Sequence, residues 1–469
     1  MNASDSESFR DRVSTIDESG KRKWVFAYKP SGRFYNARSC LSILYLVLFF
    51  GFPLVKLQGE PYFLFNIIER KFVIFGFVFW SQDFYLFGIT MILFIVFIIV
   101  FTVAFGRLFC GWACPQTVFM ELVFRRIEYW IEGDANKQIK LNAMPWNWEK
   151  TRKKGLKTIV FFAVSFLIGN TFLAYIIGSD ALFGIITDPV GTHIKGFLAM
   201  IVFSMVFFFV YLWFREQVCT IVCPYGRLQG VLLDKHSVLV AYDYVRGEPR
   251  GKHIKKSSNS SVGDCVDCGL CVRVCPTGID IRNGTQLECT NCTACIDACD
   301  SIMDNLNKPR GLVKYASEST IKENQPFIIT SRLKAYIAVL IVLLGIWVAI
   351  LSTRNTVDME VRKVSGQIYS KRPNGEISNI YNVMLLNKSH NDFDDLSLEI
   401  KRPNGARIEW VGLNGRLSSP VGQAVKYTFF VVINPSKLHE RKSQVHLVLL
   451  NGTQVIETSE TSFISPLNK

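Results

Sequence analysis

Eight of the thirteen cysteines in this 469-residue chain fall in one stretch and repeat one spacing. Cys265-Val-Asp-Cys268-Gly-Leu-Cys271-Val-Arg-Val-Cys275-Pro276 is followed, after the thirteen residues between Cys275 and Cys289, by Cys289-Thr-Asn-Cys292-Thr-Ala-Cys295-Ile-Asp-Ala-Cys299. Two Cys-x-x-Cys-x-x-Cys-x-x-x-Cys runs present thiolates in the pattern that holds two [4Fe–4S] clusters, three cysteines of each run on one cluster and the fourth crossing to the other. The expected sets are Cys265, Cys268, Cys271 and Cys299 for one cluster, and Cys289, Cys292, Cys295 and Cys275 for the second. Structural zinc sites usually split their cysteine pairs with longer spacers, and a disulfide framework needs an oxidising compartment. Asp300 stands where the pattern would place a second proline and alters no ligand.

Four more cysteines form a second system. Arg107-Leu-Phe-Cys110-Gly-Trp-Ala-Cys114-Pro115 is echoed by Arg215-Glu-Gln-Val-Cys219-Thr-Ile-Val-Cys223-Pro224-Tyr225-Gly226-Arg227. On a continuous helix, positions i and i+4 share a face. Proline, however, disfavours helical geometry in the residue before it and is at home in a helix's first turn. Cys114 and Cys223 are therefore expected at breaks, with new helices starting at Pro115 and Pro224. Four thiolates suit a soft ion, either Cu(I) or iron in a cluster. Four buried, inert cysteines would be the plainer reading, but the duplication with matched prolines and arginines argues against it.

The elements that must position these cysteines are membrane helices. The chain is 49% hydrophobic, with 37 Phe, in long apolar blocks. Five stretches can cross a bilayer: about 39–55, 84–105, 158–177, 196–214 and 335–351. A sixth apolar piece, Tyr62–Trp80, is interrupted by Glu69-Arg70-Lys71, so it reads as an interfacial or re-entrant segment. The net charge of +14 concentrates in the N-terminal arm and in the loop between the second and third spans. This places both on the cytoplasmic side and argues against nucleic-acid binding. Five spans from an inside N-terminus put the eight-cysteine insert in the cytoplasm and the C-terminus outside. After residue 355, β-rich runs punctuated by Pro-Asn-Gly and Asn-Gly turns suggest six or seven strands of an immunoglobulin-type sandwich.

The expected fold class is thus a multi-domain membrane protein. An α-helical transmembrane bundle carries a two-[4Fe–4S] ferredoxin-like (α+β) insert and a C-terminal all-β immunoglobulin-like sandwich. Residues 1–38 form a cytoplasmic arm, and 39–234 a four-helix transmembrane region with both Cys-x-x-x-Cys-Pro motifs. Residues 235–334 form the cytoplasmic ferredoxin domain, 335–351 the fifth helix, and 355–469 the periplasmic sandwich. The expected location is a bacterial inner membrane, with the lipid bilayer as a partner. Cys40 is expected in core packing, His193 in a surface loop, and His236 and His253 away from metal. Trp80, Trp130, Trp146 and Trp148 are expected as interface aromatics. No Cys-x-x-Cys-His, Gly-x-Gly-x-x-Gly or Walker loop occurs, so no covalent haem, nicotinamide or ATP site is encoded in familiar form.

The sequence resembles the CcoG/FixG family of cytochrome c oxidase accessory proteins. The likeness is carried by Phe109-Cys110-Gly111-Trp112-Ala113-Cys114-Pro115-Gln116-Thr117, by Cys219–Arg227, and by Tyr242-Asp-Tyr-Val-Arg-Gly-Glu-Pro-Arg-Gly251. The two cysteine motifs alone are also similar to those of membrane ferredoxins of nitrate and nitrous-oxide respiration. The third motif and the β-rich tail favour the oxidase accessory group. The resemblance implies a role in assembling a cbb-type oxidase, with copper held by Cys110, Cys114, Cys219 and Cys223 and reduced from Cu(II) to Cu(I). It implies oxidase subunits or copper chaperones as partners. Two other readings are quinol-linked electron transfer to a periplasmic reductase and a non-enzymatic, redox-sensing assembly factor.

Overall fold

The computed structural model describes residues 14–466 except 17–18, 58–59, 68–70, 80–83, 190, 252–261, 327, 354–355, 367, 390, 414, 422 and 439. His253, Trp80 and the Glu69-Arg70 pair lie outside the described residues. The chain divides into two compact units, Met1–Val55 with Phe87–Gly345, and Lys56–Leu86 with Ile346–Lys469.

The first unit contains the chemistry. Among the described residues, five helices are long and apolar enough to cross a membrane: Arg33–Leu54, Tyr85–Phe105, Trp148–Ile177, Ile194–Phe214 and Ser331–Ser352. Their outward faces are rich in exposed Phe, Leu, Ile and Val, as lipid contact requires. The third starts ten residues before the apolar run, because Asn147 caps it by accepting the Lys150 N–H at 2.9 Å and its first turns are good helix formers despite their charge. Trp130, Trp146 and Trp148 are exposed. Cys40 is exposed on the first helix and is not a core residue; its helix turns that face outward, between the buried Arg38 and Ser42.

The ferredoxin-like part folds around a two-stranded antiparallel ribbon, Leu239–Tyr242 against Val313–Ala316, with helices Leu270–Arg273 and Ala294–Asn305. Val240, Tyr242, Ile296, Met303, Leu312 and Val313 form its core. It is fixed to the first spanning helix. That helix has no side-chain cap of its own, since Gly32 stands at its N-cap. The buried Asp297 carboxylate supplies the missing acceptor and takes the N–H groups of Phe34 at 3.2 Å and Tyr35 at 2.8 Å. A carboxylate there also meets the positive end of the helix dipole. Gly32 is required by the close approach, because a Cβ would lie 2.4 Å from Asp297 Cγ. Asp300 accepts the Gly311 N–H at 3.0 Å and faces Arg33 at 3.4 Å. The departure from proline at that position thus has a structural use.

In the second unit the 62–80 piece, expected as an interfacial or re-entrant segment, forms strands among its described residues. It is a three-stranded antiparallel sheet of Phe63–Asn66, Lys71–Ile74 and Phe77–Phe79. Aromatic and β-branched residues favour strands, and Phe75-Gly76, both at positive φ, turn the last hairpin. The tail is a two-sheet sandwich. One sheet orders Arg407–Trp410, Ala424–Ile433, Ile377–Asn387 and Val357–Lys363, with Ser370–Lys371 beside Ile377–Asn387. The other orders Leu417–Ser419, Phe393–Arg402, Lys442–Asn451 and Gln454–Ile464. Inward residues such as Tyr381, Val383, Phe429, Val431, Leu447 and Leu449 make the core. The two sheets hold nine strands among the described residues, against the six or seven that the sequence suggested.

Candidate metal centres

The two cysteine runs adopt the same backbone twice. Asp267 (φ 51°) and Asn291 (φ 53°) precede the second cysteine of each run, and Gly269 (φ 64°) and Thr293 (φ 64°) follow it. Such left-handed residues turn successive peptide N–H groups inward and build concavities for anionic groups, iron–sulfur clusters among them. For Thr293 the conformation is costly, and it persists because the surrounding fold imposes it. Two cavities result. One, of about 390 Å³, is lined by Cys265, Cys268, Cys271 and Cys299. The other, of about 350 Å³, is lined by Cys275, Cys289, Cys292 and Cys295 and also by Cys271, which the two cavities share.

Burial pushes the Cys271 thiol up to about 11 and those of Cys289 and Cys299 up to about 12. Free thiolates are disfavoured in such pockets. Thiolates that have exchanged their protons for iron are not, so the donor sets fit two clusters. The residue repeat, the doubled nest and the division of cysteines between two cavities agree with one another.

The membrane motifs meet the sequence expectation of breaks. Cys110 lies in the short helix Leu108–Trp112; Cys114 is extended (φ −63°, ψ 125°) and Pro115 opens the next helix. Cys219 lies in a wide turn, Val218–Val222; Cys223 is extended (φ −70°, ψ 112°) and Pro224 opens another helix. All four thiols are partly buried and gathered in one region. Burial first, and the neighbouring Cys114 second, raise Cys110 to about 11 and Cys219 to about 12, and Cys223 acts on both. Among the described residues no three Cys, His, Asp or Glu side chains form a ready cage for a single ion. Ligation at the quartet therefore requires the cysteine side chains to turn inward.

The two cysteine systems touch, and residues between the cysteines of both patterns make the joint together with Arg38 and Tyr315. A Cβ on Gly111, between Cys110 and Cys114, would stand 2.5 Å from Thr290 O and 2.7 Å from Asn291 O. The buried Arg38 donates to Gly111 O at 2.9 Å and to Cys292 O at 2.7 Å. Trp112 Nε1 donates to Tyr315 OH at 3.0 Å, and Tyr315 OH donates to Asn291 O at 3.4 Å. Sequence reasoning missed Arg38, Tyr315 and Asp297. Gly111 and Trp112 lay in plain view inside the first motif, and an arginine in the second turn of an apolar helix was the available signal for Arg38. Elsewhere His193 pairs with Asp188 at 3.0 Å on the surface, and His236 meets Ser319 Oγ at 3.2 Å; neither joins a cysteine.

A buried ion network holds the two motif-bearing halves together. Arg215 donates to both Glu128 oxygens at 2.7 Å, Lys157 reaches Glu128 at 2.8 Å, and Arg125 pairs with Glu121 at 3.1 Å. The N-terminal segment joins through Arg22 and Glu216 at 3.1 Å. Burial alone would raise the Glu128 carboxyl, but Arg215 and then Lys157 outweigh it and hold it at about 2, against an ordinary 4.5. A depressed folded value means that Glu128 contributes stability above pH 4.5, about 3 kcal/mol. That contribution is lost as pH falls from 4.5 through about 2. We predict that Glu128→Gln, which leaves Arg215 only Glu216 at 3.5 Å and Lys157 only Glu132 at 3.4 Å, destabilises the protein by about 3 kcal/mol at neutral pH. The wild type's advantage should shrink toward zero as the pH of a thermal-unfolding series is lowered through that window.

A membrane-embedded iron–sulfur electron-transfer protein is the class that this fold and these pockets define. Residues 214–318 match the 4Fe-4S dicluster domain, 87–137 a 4Fe-4S binding domain, and 347–466 the IG-like fold at the C-terminus of FixG. The nitrogen fixation protein FixG of Rhizobium meliloti is 35% identical over 65% of this chain, which spans 59% of FixG's own length. Proteins RdxA and RdxB of Cereibacter sphaeroides are 36% and 34% identical over 78% of this chain and 80% of theirs. The chain belongs to the FixG/RdxA family. It is a bacterial membrane protein and carries two [4Fe–4S] clusters.

Proposed function

We propose that this protein reduces Cu(II) to Cu(I) on the cytoplasmic face of the membrane, for delivery to a cbb-type haem–copper oxidase during its assembly. Cys265, Cys268, Cys271 and Cys299 hold one cluster, and Cys275, Cys289, Cys292 and Cys295 the other. The clusters supply single electrons. The substrate Cu(II) gains one at Cys110, Cys114, Cys219 and Cys223 and becomes Cu(I). The single observation that carries this reading is the joint between Gly111 and Thr290-Asn291, which sets one thiol quartet against the other with no solvent layer between the backbones.

The quartet's own chemistry favours the product. Thiolates are soft ligands and prefer Cu(I) to Cu(II), so binding the reduced ion more tightly draws the electron onto the metal. The buried thiols release protons on ligation, which makes binding stronger as pH rises. The Lys/Arg-rich segments favour a cytoplasmic ferredoxin part and a periplasmic sandwich, and on this reading the sandwich docks oxidase subunits or a copper chaperone. In the test, purified protein and a low-potential one-electron donor are supplied with Cu(II), and Cu(I) is trapped by a chromogenic chelator. Sustained formation supports the reading; none beyond the donor alone overturns it.

A second reading has its own observation. Residues 87–137, which include Cys110 and Cys114, match a 4Fe-4S binding domain, so the quartet would hold a third cluster. Iron content separates the two: about eight per chain for two clusters, about twelve for three.

A further inference from the structure

Arg107 stands three residues before Cys110 and Arg215 four before Cys219, yet their surroundings differ. Arg215 is neutralised by a two-pronged pair with Glu128. Arg107 is 5% exposed, and among the described residues no carboxylate pairs with it. It stands at the N-cap of the helix that carries Cys110. Its guanidinium reaches toward the second motif, where a Cβ on Gly226 would lie 3.6 Å from Arg107 Nη2. On its other side it lines a cavity with Leu239, Val240, Cys289 and Asn291. The Cys110 and Cys289 thiols both feel its charge. A buried cation without a counter-charge costs several kcal/mol. The anions that these surroundings offer are the thiolates of the two quartets.

We infer that Arg107 is a positioning residue shared by the two thiol sets. Its charge raises the reduction potential of the cluster beside Cys289, and so keeps the transferable electron next to the membrane cysteines. A reduced cluster carries one more negative charge than an oxidised one, so a fixed cation close by stabilises the reduced form, and net charge is among the determinants of cluster potential. The other pocket has an arginine too, but Arg282 there is compensated by Asp280 at 2.7 Å and by Asp267. The asymmetry between the pockets therefore rests on Arg107, which lines a cavity with Cys289, together with the buried Arg38, which donates to Cys292 O at 2.7 Å. This inference depends on the assignment of Cys275, Cys289, Cys292 and Cys295 as cluster ligands, and does not depend on copper being the substrate.

The test is an EPR-monitored redox titration of the full-length purified protein, as wild type, Arg107→Gln and Arg107→Lys. The signal that belongs to the Cys289 pocket is identified as the one altered in Cys289→Ser. In Arg107→Gln that signal should move to lower potential by tenfold or more in its reduced-to-oxidised ratio, about 59 mV for one electron. Arg107→Lys should restore most of the shift, the other signal should stay in place, and about eight irons should remain. Signals that do not move, or that move together, overturn the inference. Equal loss of iron from both variants also overturns it and makes Arg107 structural. If the wild type reduces no copper while the Arg107→Gln shift is present, the substrate reading falls and this one stands.

Discussion

Cys110→Ser combined with Cys219→Ser abolishes cupric reduction, by at least a hundredfold, while iron stays at about eight per chain. The expectation follows from position and softness. The two residues come from different halves of the repeat, so the double variant removes one thiolate from each motif, and the remaining pair offers no closed soft site. Neither residue lines the ferredoxin pockets, so cluster signals should be unchanged. The readouts are chelator-trapped Cu(I) and iron per chain. Activity near wild type would remove the quartet from the reaction. A loss of about four irons would instead establish a third cluster there.

Gly111→Val should have the second-largest effect, and it acts on the joint without touching a cysteine. The added Cβ would meet two backbone carbonyl oxygens at 2.5 and 2.7 Å, and backbone cannot step aside as a flexible side chain can. Overpacking of this kind costs about 1–3 kcal/mol. The Arg38 bridge from Gly111 O to Cys292 O and the Trp112–Tyr315 bond would be strained with it. A misplacement of about 1 Å between reacting groups can cost on the order of a hundredfold in rate. We therefore expect cupric reduction to fall ten- to hundredfold. Iron content and reduction of the clusters by the external donor should stay near wild type. Rates unchanged in a folded Gly111→Val protein would show that the joint does not carry the electron.

The cysteines were legible because cluster ligation demands thiolates at fixed short spacings, and the five spans because hydrocarbon demands long uncharged runs. The breaks at Cys114 and Cys223 were legible because proline acts on its immediate neighbour. The joint was not. Asp297 reads as one more acidic residue on a helix, yet it caps a helix some 260 positions earlier in the chain. Arg38 reads as the end of a basic arm, and only the fold sets it between Gly111 and Cys292. The 62–80 piece shows the limit of a hydropathy argument. Its apolar content was read, but its β-branched and aromatic residues pair as strands, and Lys71 begins one of them. Val357–Lys363 alternates cleanly, with Val357 and Met359 buried, but it begins so soon after an apolar span that its period was hidden. The short strands Arg407–Trp410 and Leu417–Ser419 are held by their neighbours in the sheets more than by their own composition.

On the proposed function, electrons pass from the ferredoxin part to copper at the membrane cysteines. The most direct measurement is anaerobic mixing of pre-reduced protein, freed of excess reductant, with Cu(II), followed by cluster absorbance and trapped Cu(I) together. One Cu(I) should form for each electron lost from the clusters, up to about two per chain. The Cys110→Ser, Cys219→Ser variant should keep its clusters reduced over the same time. Clusters that stay reduced in the wild type, or that oxidise equally fast in the variant, would contradict it.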